Sequence, residues 1–436
     1  MRDPDQSDTT TPAASRFSGW TVIAGLFITL MVSSGFGFYG QAVYLRALVD
    51  ERGWSTGLTS AATATFFVVS GLAGYAISGL LIRVDVRRVI VGGLVLGPLG
   101  LALLGQAREP WQMFGADVIF GVGFALSGLV PATTTVARWF VRRRSVALSV
   151  ASTGLSMGGI AITPFVASLV KSEGIGSVSP WFSVVWFVVG LPVTLLLVRS
   201  SPADRGQYPD GEVPVSTGAG PVDPSRLGMT FVQARATRFY RLTALAYLFV
   251  MLGQVGGLSQ QVKLVSERVP GLAAASVTIV AAASVTGRLL GGVLVTRLSS
   301  KAFTAVLMLV QGAALASFAF ASTTASIVVT CIVFGLSVGN LLMLQPLLMA
   351  EAFGVREYSR IYSMSSLIMT VGVGAGPTVL GVLRDVSAGY QLPFVVAAVS
   401  SGAAFLLFFL AGPLVAFEAR RETGHAEPVA GAAPAT

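Results

Sequence analysis

Twelve times between residues 19 and 416 the sequence turns apolar for long enough to cross a bilayer: at 19–46, 55–82, 88–107, 111–137, 145–170, 179–199, 239–265, 272–296, 302–322, 325–350, 358–383 and 391–416. A helix rises about 1.5 Å per residue, so roughly 20 residues span the hydrocarbon core. Backbone amides find no water there and must bond within the helix. The chain is therefore expected to be an all-α membrane protein with twelve transmembrane helices. Composition agrees, at 53% hydrophobic and 11% charged against roughly 25% charged in soluble domains. The 50 glycines suit helices that pack closely in lipid through small residues. The single cysteine, Cys331, can form no internal disulfide and reads as a small core residue.

One long break interrupts the series. Residues 200–238, rich in Pro, Gly, Ser and charge, read as a flexible linker between a first six-helix bundle at 19–199 and a second at 239–416. Polar tails occupy 1–18 and 417–436; the first has no apolar core before a cleavage site and so does not read as a removable signal. The tail residue His425 carries no expected role.

The net charge of +9 falls unevenly over the connections. One set holds Arg83, Arg87, Arg88, Arg138, Arg142, Arg143, Arg144, Arg199, Arg205, Arg226, Arg235, Arg238, Arg241, Arg297, Lys301, Arg356 and Arg360, together with the basic residues of both tails. The opposite set holds far fewer: Arg46, Arg52, Arg108, Lys171, Lys263, Arg268 and Arg384. Basic loops stay cytoplasmic, so both tails and the linker are expected in the cytoplasm of a cell-membrane protein. The charge then requires no nucleic acid.

Arg288 belongs to neither set. It lies within the apolar run 272–296, in the stretch SVTGRLLGG, where a fixed charge costs a few kcal/mol. A guanidinium offers a rigid fork of donors that can grip a carboxylate bidentately, and it stays charged at cellular pH. Either Arg288 meets an anionic ligand, or it pairs with a carboxylate on a neighbouring helix or reaches toward the cytoplasmic end. Asp117 is the one carboxylate well within a span, and it is a candidate proton carrier or a structural hydrogen-bond acceptor. Tyr39, Gln254 and Asn340 are mid-span polar residues that could line a cavity or join helices. Gly154, Gly158, Gly372, Gly374 and Gly376 read as packing positions rather than binding ones.

The two halves look like copies. Phe120-Gly121 and Pro131 in the first match Phe334-Gly335 and Pro346 in the second, and the interval from Phe140 to Pro164 equals that from Phe353 to Pro377. Parallel six-helix repeats are the architecture of the major facilitator superfamily, in which a midplane site lies between rocking halves. Arg138 and Glu351 take equivalent places before Phe140 and Phe353 with opposite charge, which suggests ion pairs made and broken at a cytoplasmic gate, or interfacial anchoring.

Three segments carry a finer resemblance: ARWFVRRRSVALSVASTGLSMGGIAITP (137–164), ERGWS (51–55) and LQPLLMAEAFGVREYSRIYSMSSLIMTVGVGAGPTVLGVLRDVSAGY (344–390). They resemble the bacterial monocarboxylate-transporter-like and oxalate/formate-antiporter-like branch of that superfamily. The resemblance implies that Arg288 binds a substrate carboxylate and that Ser284, one turn earlier, stands where animal members carry an acid. It also places Tyr39 where those members carry a lysine. The superfamily loop between helices two and three has its counterpart in GLLIRVDVRR (79–88), so Asp85, Arg87 and Arg88 are expected to latch the cytoplasmic side.

The expected protein is a secondary transporter of a small organic anion, foremost a monocarboxylate, with a proton as companion. It is expected to act as a monomer in the lipid bilayer, without cofactor, metal or catalytic residues. No phosphate-binding loop, metal-ligand cluster or catalytic triad is found in the sequence. An exporter of a drug-like or neutral metabolite, a carboxylate exchanger without proton coupling, and a non-transporting sensor are the alternatives.

Overall fold

The computed structural model describes residues 17–212, 227–387, 389–414 and 417. Its twelve long apolar helices are α1 (Gly19–Arg52), α2 (Gly57–Arg83), α3 (Val86–Gln106), α4 (Pro110–Trp139), α5 (Arg144–Glu173), α6 (Ile175–Leu197), α7 (Arg238–Arg268), α8 (Pro270–Leu294), α9 (Ser300–Phe320), α10 (Thr324–Phe353), α11 (Tyr358–Ser387) and α12 (Gln391–Leu410). Each coincides with an expected span, with ends displaced by a few residues. The largest extension is in α1, which continues past its apolar run to Arg52. There the helix turns amphipathic: Tyr44, Ala47 and Leu48 are buried while Arg46, Asp50 and Arg52 are exposed. Gly53, at φ +67°, ends it in the left-handed conformation that glycine adopts without strain.

Hydrophobic attraction does not hold helices together in lipid, so van der Waals contact must, and glycine allows the closest approach. Gly154 and Gly158 of α5 lie directly on the carbonyls of Phe27 and Met31 of α1. At the corresponding crossing of the second half, Gly372 and Gly376 of α11 lie on the carbonyls of Leu248 and Leu252 of α7. A side chain at any of the four would overlap the facing backbone. These four glycines therefore pack helices, as their sequence pattern suggests, whereas an added Cβ on Gly374, expected to do the same, would meet nothing within 4 Å. Each of α1 and α5 also contains one π turn, Ser34–Phe38 and Gly158–Ile162, and these touch where Gly35 meets Gly158.

The repeat reaches down to single contacts. A Cβ on Gly121 of α4 would meet the Phe66 carbonyl of α2 at 2.6 Å, and one on Gly335 of α10 would meet the Val280 carbonyl of α8 at 2.6 Å. The interval from Gly121 to Gly335 is also the interval from Phe66 to Val280. Between the halves, α5 packs on α8 and α10, and α11 packs on α2 and α4.

The described parts of the connection 200–238 are fastened rather than loose. Asp210 accepts hydrogen bonds from the backbone amides of Val141, Arg142 and Arg143 at 2.9, 2.8 and 3.3 Å, and Arg142 pairs with Glu212 at 2.8 Å. On the far side Met229 donates to the Phe353 carbonyl at 2.8 Å, and the Phe231 amide donates to Glu357 at 2.8 Å. The linker is thus pinned at each end to the loop between the fourth and fifth helices of the adjoining half. The rest of the linker, 213–226, like the tails 1–16 and 418–436, lies outside the described residues.

Gly121→Ala and Gly335→Ala should each destabilise the protein by about 1–3 kcal/mol, the range for overpacking. Gly92→Ala and Gly115→Ala, where an added Cβ meets nothing within 4 Å, should be neutral or slightly stabilising. Thermal unfolding of the detergent-solubilised variants measures both.

Candidate functional site

Arg288 lies in α8 at the junction of the halves and is 3% exposed. Its Nε donates to the Gly339 carbonyl of α10 at 2.7 Å, and its Nη1 donates across the halves to the Ser152 carbonyl of α5 at 2.6 Å. Its own carbonyl accepts from the Ser149 hydroxyl at 2.5 Å. Among the described residues no carboxylate forms an ion pair with it. The Gly339 carbonyl is reachable because α8 and α10 nearly touch: Gly287 abuts Leu336, Gly339 abuts the Ser284 carbonyl, and Gly291 abuts the Asn340 side chain. Ser284 is buried at this crossing, one turn from Arg288 on the same face.

Asn340 joins the same two helices. Its Nδ2 donates to the carbonyls of Gly287 and Leu336 at 2.8 and 2.9 Å, while its Oδ1 is buried without a partner among the described residues. Of the two roles open to it in sequence, that of interhelical fastener is therefore filled.

Pseudo-symmetry isolates the arginine. The interval that relates Gly121 to Gly335 also relates Ser70 to Ser284 and Gly74 to Arg288. The first half builds the same helix crossing with glycine at that position, so the charge is not a requirement of the architecture.

Tyr39 stands within electrostatic reach of Arg288 and lies over Gly159 of α5. It is 37% exposed although it lies mid-helix. Beside it Phe38, 36% exposed, continues an aromatic surface, with ring centroids 5.0 Å from Tyr39, 5.5 Å from Phe67 of α2 and 6.5 Å from Phe124 of α4. A charged fork and an apolar wall thus occur together. Gln254 of α7 is buried with its Oε1 unpartnered among the described residues. Asp117 belongs to a separate place inside the first half, where it is 2% exposed and accepts from Gln41 Nε2 at 3.1 Å.

The model of the Major Facilitator Superfamily matches residues 25–354. The chain belongs to that superfamily. It is 24% identical to the MFS transporter asaE of Aspergillus flavus, over 88% of this chain and 84% of that protein. It is also 24% identical to the aspyridones efflux protein apdF of Emericella nidulans, over 85% and 73%. Monocarboxylate transporter 11 of Mus musculus is 29% identical over 36% of this chain and 35% of its own length. The fold resembles that of the superfamily transporter FucP in its outward conformation (TM-score 0.67, 17% identity, 90% of this chain and 98% of that one). It also resembles the human organic anion transporter MFSD10 (TM-score 0.71, 15% identity, 90% and 99%). The relatives named above by sequence identity over their chains, asaE, apdF and monocarboxylate transporter 11, are fungal and animal proteins, and they lend no support to the oxalate/formate or bacterial branch.

In this superfamily member the arginine-rich end of the bundle is closed. Ser359 of α11 donates to the Ser78 carbonyl of α2 at 2.8 Å, a Cβ on Gly79 would meet Arg360 at 3.3 Å, and Tyr358 stands beside Thr133 and Arg144. Arg138 and Asp85, two of the expected gate residues, have their described hydrogen bonds within the first half. Arg138 donates to the Leu81 carbonyl at 2.8 Å, Arg88 is exposed, and Glu351 accepts from Ser300 of α9 at 2.9 Å. Asp85 caps α3, accepting from the Arg87 amide at 2.8 Å and pairing with the Arg87 side chain at 2.9 Å. It also accepts from Ser200 Oγ at 2.5 Å, which ties the end of α6 to the start of α3.

Ser149 and Ser152 were not singled out in the sequence. They belong to a stripe, Ser145, Ser149, Ser152 and Ser156, whose three- and four-residue spacing puts all four on one face of α5. All four are buried. That periodicity in an otherwise apolar span was the available signal.

Partial burial opposes ionisation of Asp85, but hydrogen bonds from Arg87 and Ser200 prevail and lower its pKa from 3.8 to about 2. A pKa lowered by folding gives stability that is complete above the unfolded value and fades as pH falls through the folded one. The stability gap between the wild type and Asp85→Asn should therefore be constant above about pH 4 and close as pH drops through 2, as followed by intrinsic fluorescence on acid titration.

Proposed function

We propose that the chain is a secondary transporter of small organic anions, each a carboxylate on an apolar body, moved by alternating access between its halves. The observation that carries this reading is Arg288: a buried guanidinium at the junction, bonded to the carbonyls of Gly339 and Ser152 and paired with no described carboxylate. Carbonyl dipoles compensate a cation less well than an anion does, so a carboxylate guest would gain a charge-assisted, bidentate partner. Tyr39 and Ser284 flank that position, and the Phe38, Phe67 and Phe124 surface offers its apolar body a wall. Gln254 would belong to the second half's side of the pathway, and Asn340 would hold α8 and α10 in register.

A proton is proposed to accompany the substrate, with Asp117 as its carrier: the carboxyl is buried and faces one amide donor, Gln41, so its protonated form is well accommodated. Asp85, Arg87, Arg88, Arg138 and Glu351 would border the cytoplasmic gate. The basic loops would face the cytoplasm across the cell membrane, with one chain as the working unit.

A second reading is supported by the relatives, one of which is named as an efflux protein: export of a drug-like or neutral metabolite through the same fold. The two part at Arg288. In proteoliposomes, counterflow of labelled benzoate and lactate should fall by roughly ten- to a hundredfold in Arg288→Gln, the scale of losing one charge-assisted pair. Unimpaired counterflow in that variant, or uptake confined to neutral compounds, would overturn the anion reading. Asp117→Asn should retain exchange but lose uptake driven by an inward proton gradient. Equal gradient dependence in both proteins would remove Asp117 from the proton path.

A further inference from the structure

The guanidinium assigned to the substrate is also a tie between the halves. Arg288 bonds twice within its surroundings, once to α10 of its own half and once to Ser152 of the other. Ser149, one turn before Ser152 on α5, returns a bond to the Arg288 carbonyl. Gly292, one turn past Arg288, lies directly against the Ser149 side chain. Helix α8 thus presents adjacent glycines to two partners, Gly291 to α10 in its own half and Gly292 to α5 in the other.

The donor geometry sets the two roles of Arg288 against each other. Of its five N–H groups, that of Nε is given to Gly339 and one on Nη1 to Ser152. A guanidinium grips a carboxylate with two parallel N–H groups, either Nε with Nη2 or Nη1 with Nη2. The first grip takes the donor now given to Gly339, and the second draws on the nitrogen now bonded to Ser152. An anion that takes the end-on pair pulls Nη1 toward itself and weakens the bond between the halves. A carboxylate attracts the guanidinium more strongly than a neutral carbonyl does, which favours the exchange.

We infer that substrate carboxylate and the Ser152 carbonyl compete for one edge of Arg288, so that binding unfastens α5 from α8 and Ser149 sets how firmly the unloaded protein stays closed. This rests on the anion reading above and adds how occupancy is relayed to the gate. The coupling needs no ion pair at the rim. It is built into the ligand-binding side chain itself, with Ser149 and Ser152 as positioning residues on the opposite half.

Spin labels at Arg83→Cys and Arg297→Cys, exposed positions at the arginine-rich ends of α2 and α8, report the opening in a Cys331→Ala background by pulsed electron paramagnetic resonance in nanodiscs. The ligand-free protein should show chiefly the short distance, and benzoate should raise the population of longer distances. Ser149→Ala should raise that population without ligand by about fivefold, the worth of one neutral hydrogen bond. Arg288→Gln should raise it further and make it indifferent to benzoate. Calorimetry on the same samples reports binding separately. Benzoate binding with no change in distances, or ligand-free Ser149→Ala and Arg288→Gln both matching the parent, overturns the tie while leaving the anion reading intact. Absence of binding by benzoate, phenylacetate and lactate overturns the anion reading, and this inference with it.

Discussion

Helices in a bilayer are held by contact rather than by flight from water, and here the contact is glycine against carbonyl. It recurs where α5 crosses α1, where α11 crosses α7, and where α4 and α10 meet α2 and α8. Close approach has a second effect beyond cohesion. It brings backbone carbonyls of one helix to the surface of the next, where a donor can use them. The Gly339 carbonyl is such an acceptor, and a bulkier residue there would drive α10 away from the arginine it serves.

A mid-membrane arginine costs about 2.5–3.5 kcal/mol on the insertion scale. The protein offsets that cost with neutral dipoles and leaves the ionic partner unassigned, which suits a site meant to be filled and emptied. Had a fixed glutamate supplied the compensation, the charge would be satisfied permanently and an incoming anion would have to compete with it. The pseudo-symmetric position in the first half is Gly74. Architecture and charge are therefore separable, with the former shared by both repeats and the latter added to one.

Helix number and the repeat were legible because each follows from side-chain identity at a regular spacing, and a lone arginine in an apolar run marked a charge that the fold would have to accommodate. In the run 19–46 apolarity fades before the helix does, and an amphipathic extension carries α1 to Arg52. The ordered ends of the linker were hidden in a stretch whose composition signals looseness, since a single carboxylate at Asp210 gathers three amides of a distant loop. At the arginine-rich end charges suggested ion pairs between halves or interfacial anchoring; a described tie there joins hydroxyl to carbonyl, from Ser359 to Ser78. Carbonyls belong to every residue, so nothing in a sequence marks the ones that will be used. The serine stripe on α5 supplied half of that information.

Placing the lone mid-span cation in only one of two otherwise matching repeats has an electrical consequence. In the proposed cycle an ionised Asp117 would oppose the charge of Arg288 in the empty protein, and a monoanion beside a protonated Asp117 would do so in the loaded one. A full traverse of 100 mV is worth about 2.3 kcal/mol per uncompensated elementary charge. With acid and base balanced in both forms, the resting potential would act weakly on either half of the cycle, and the gradients of solute and proton would govern how quickly the protein resets.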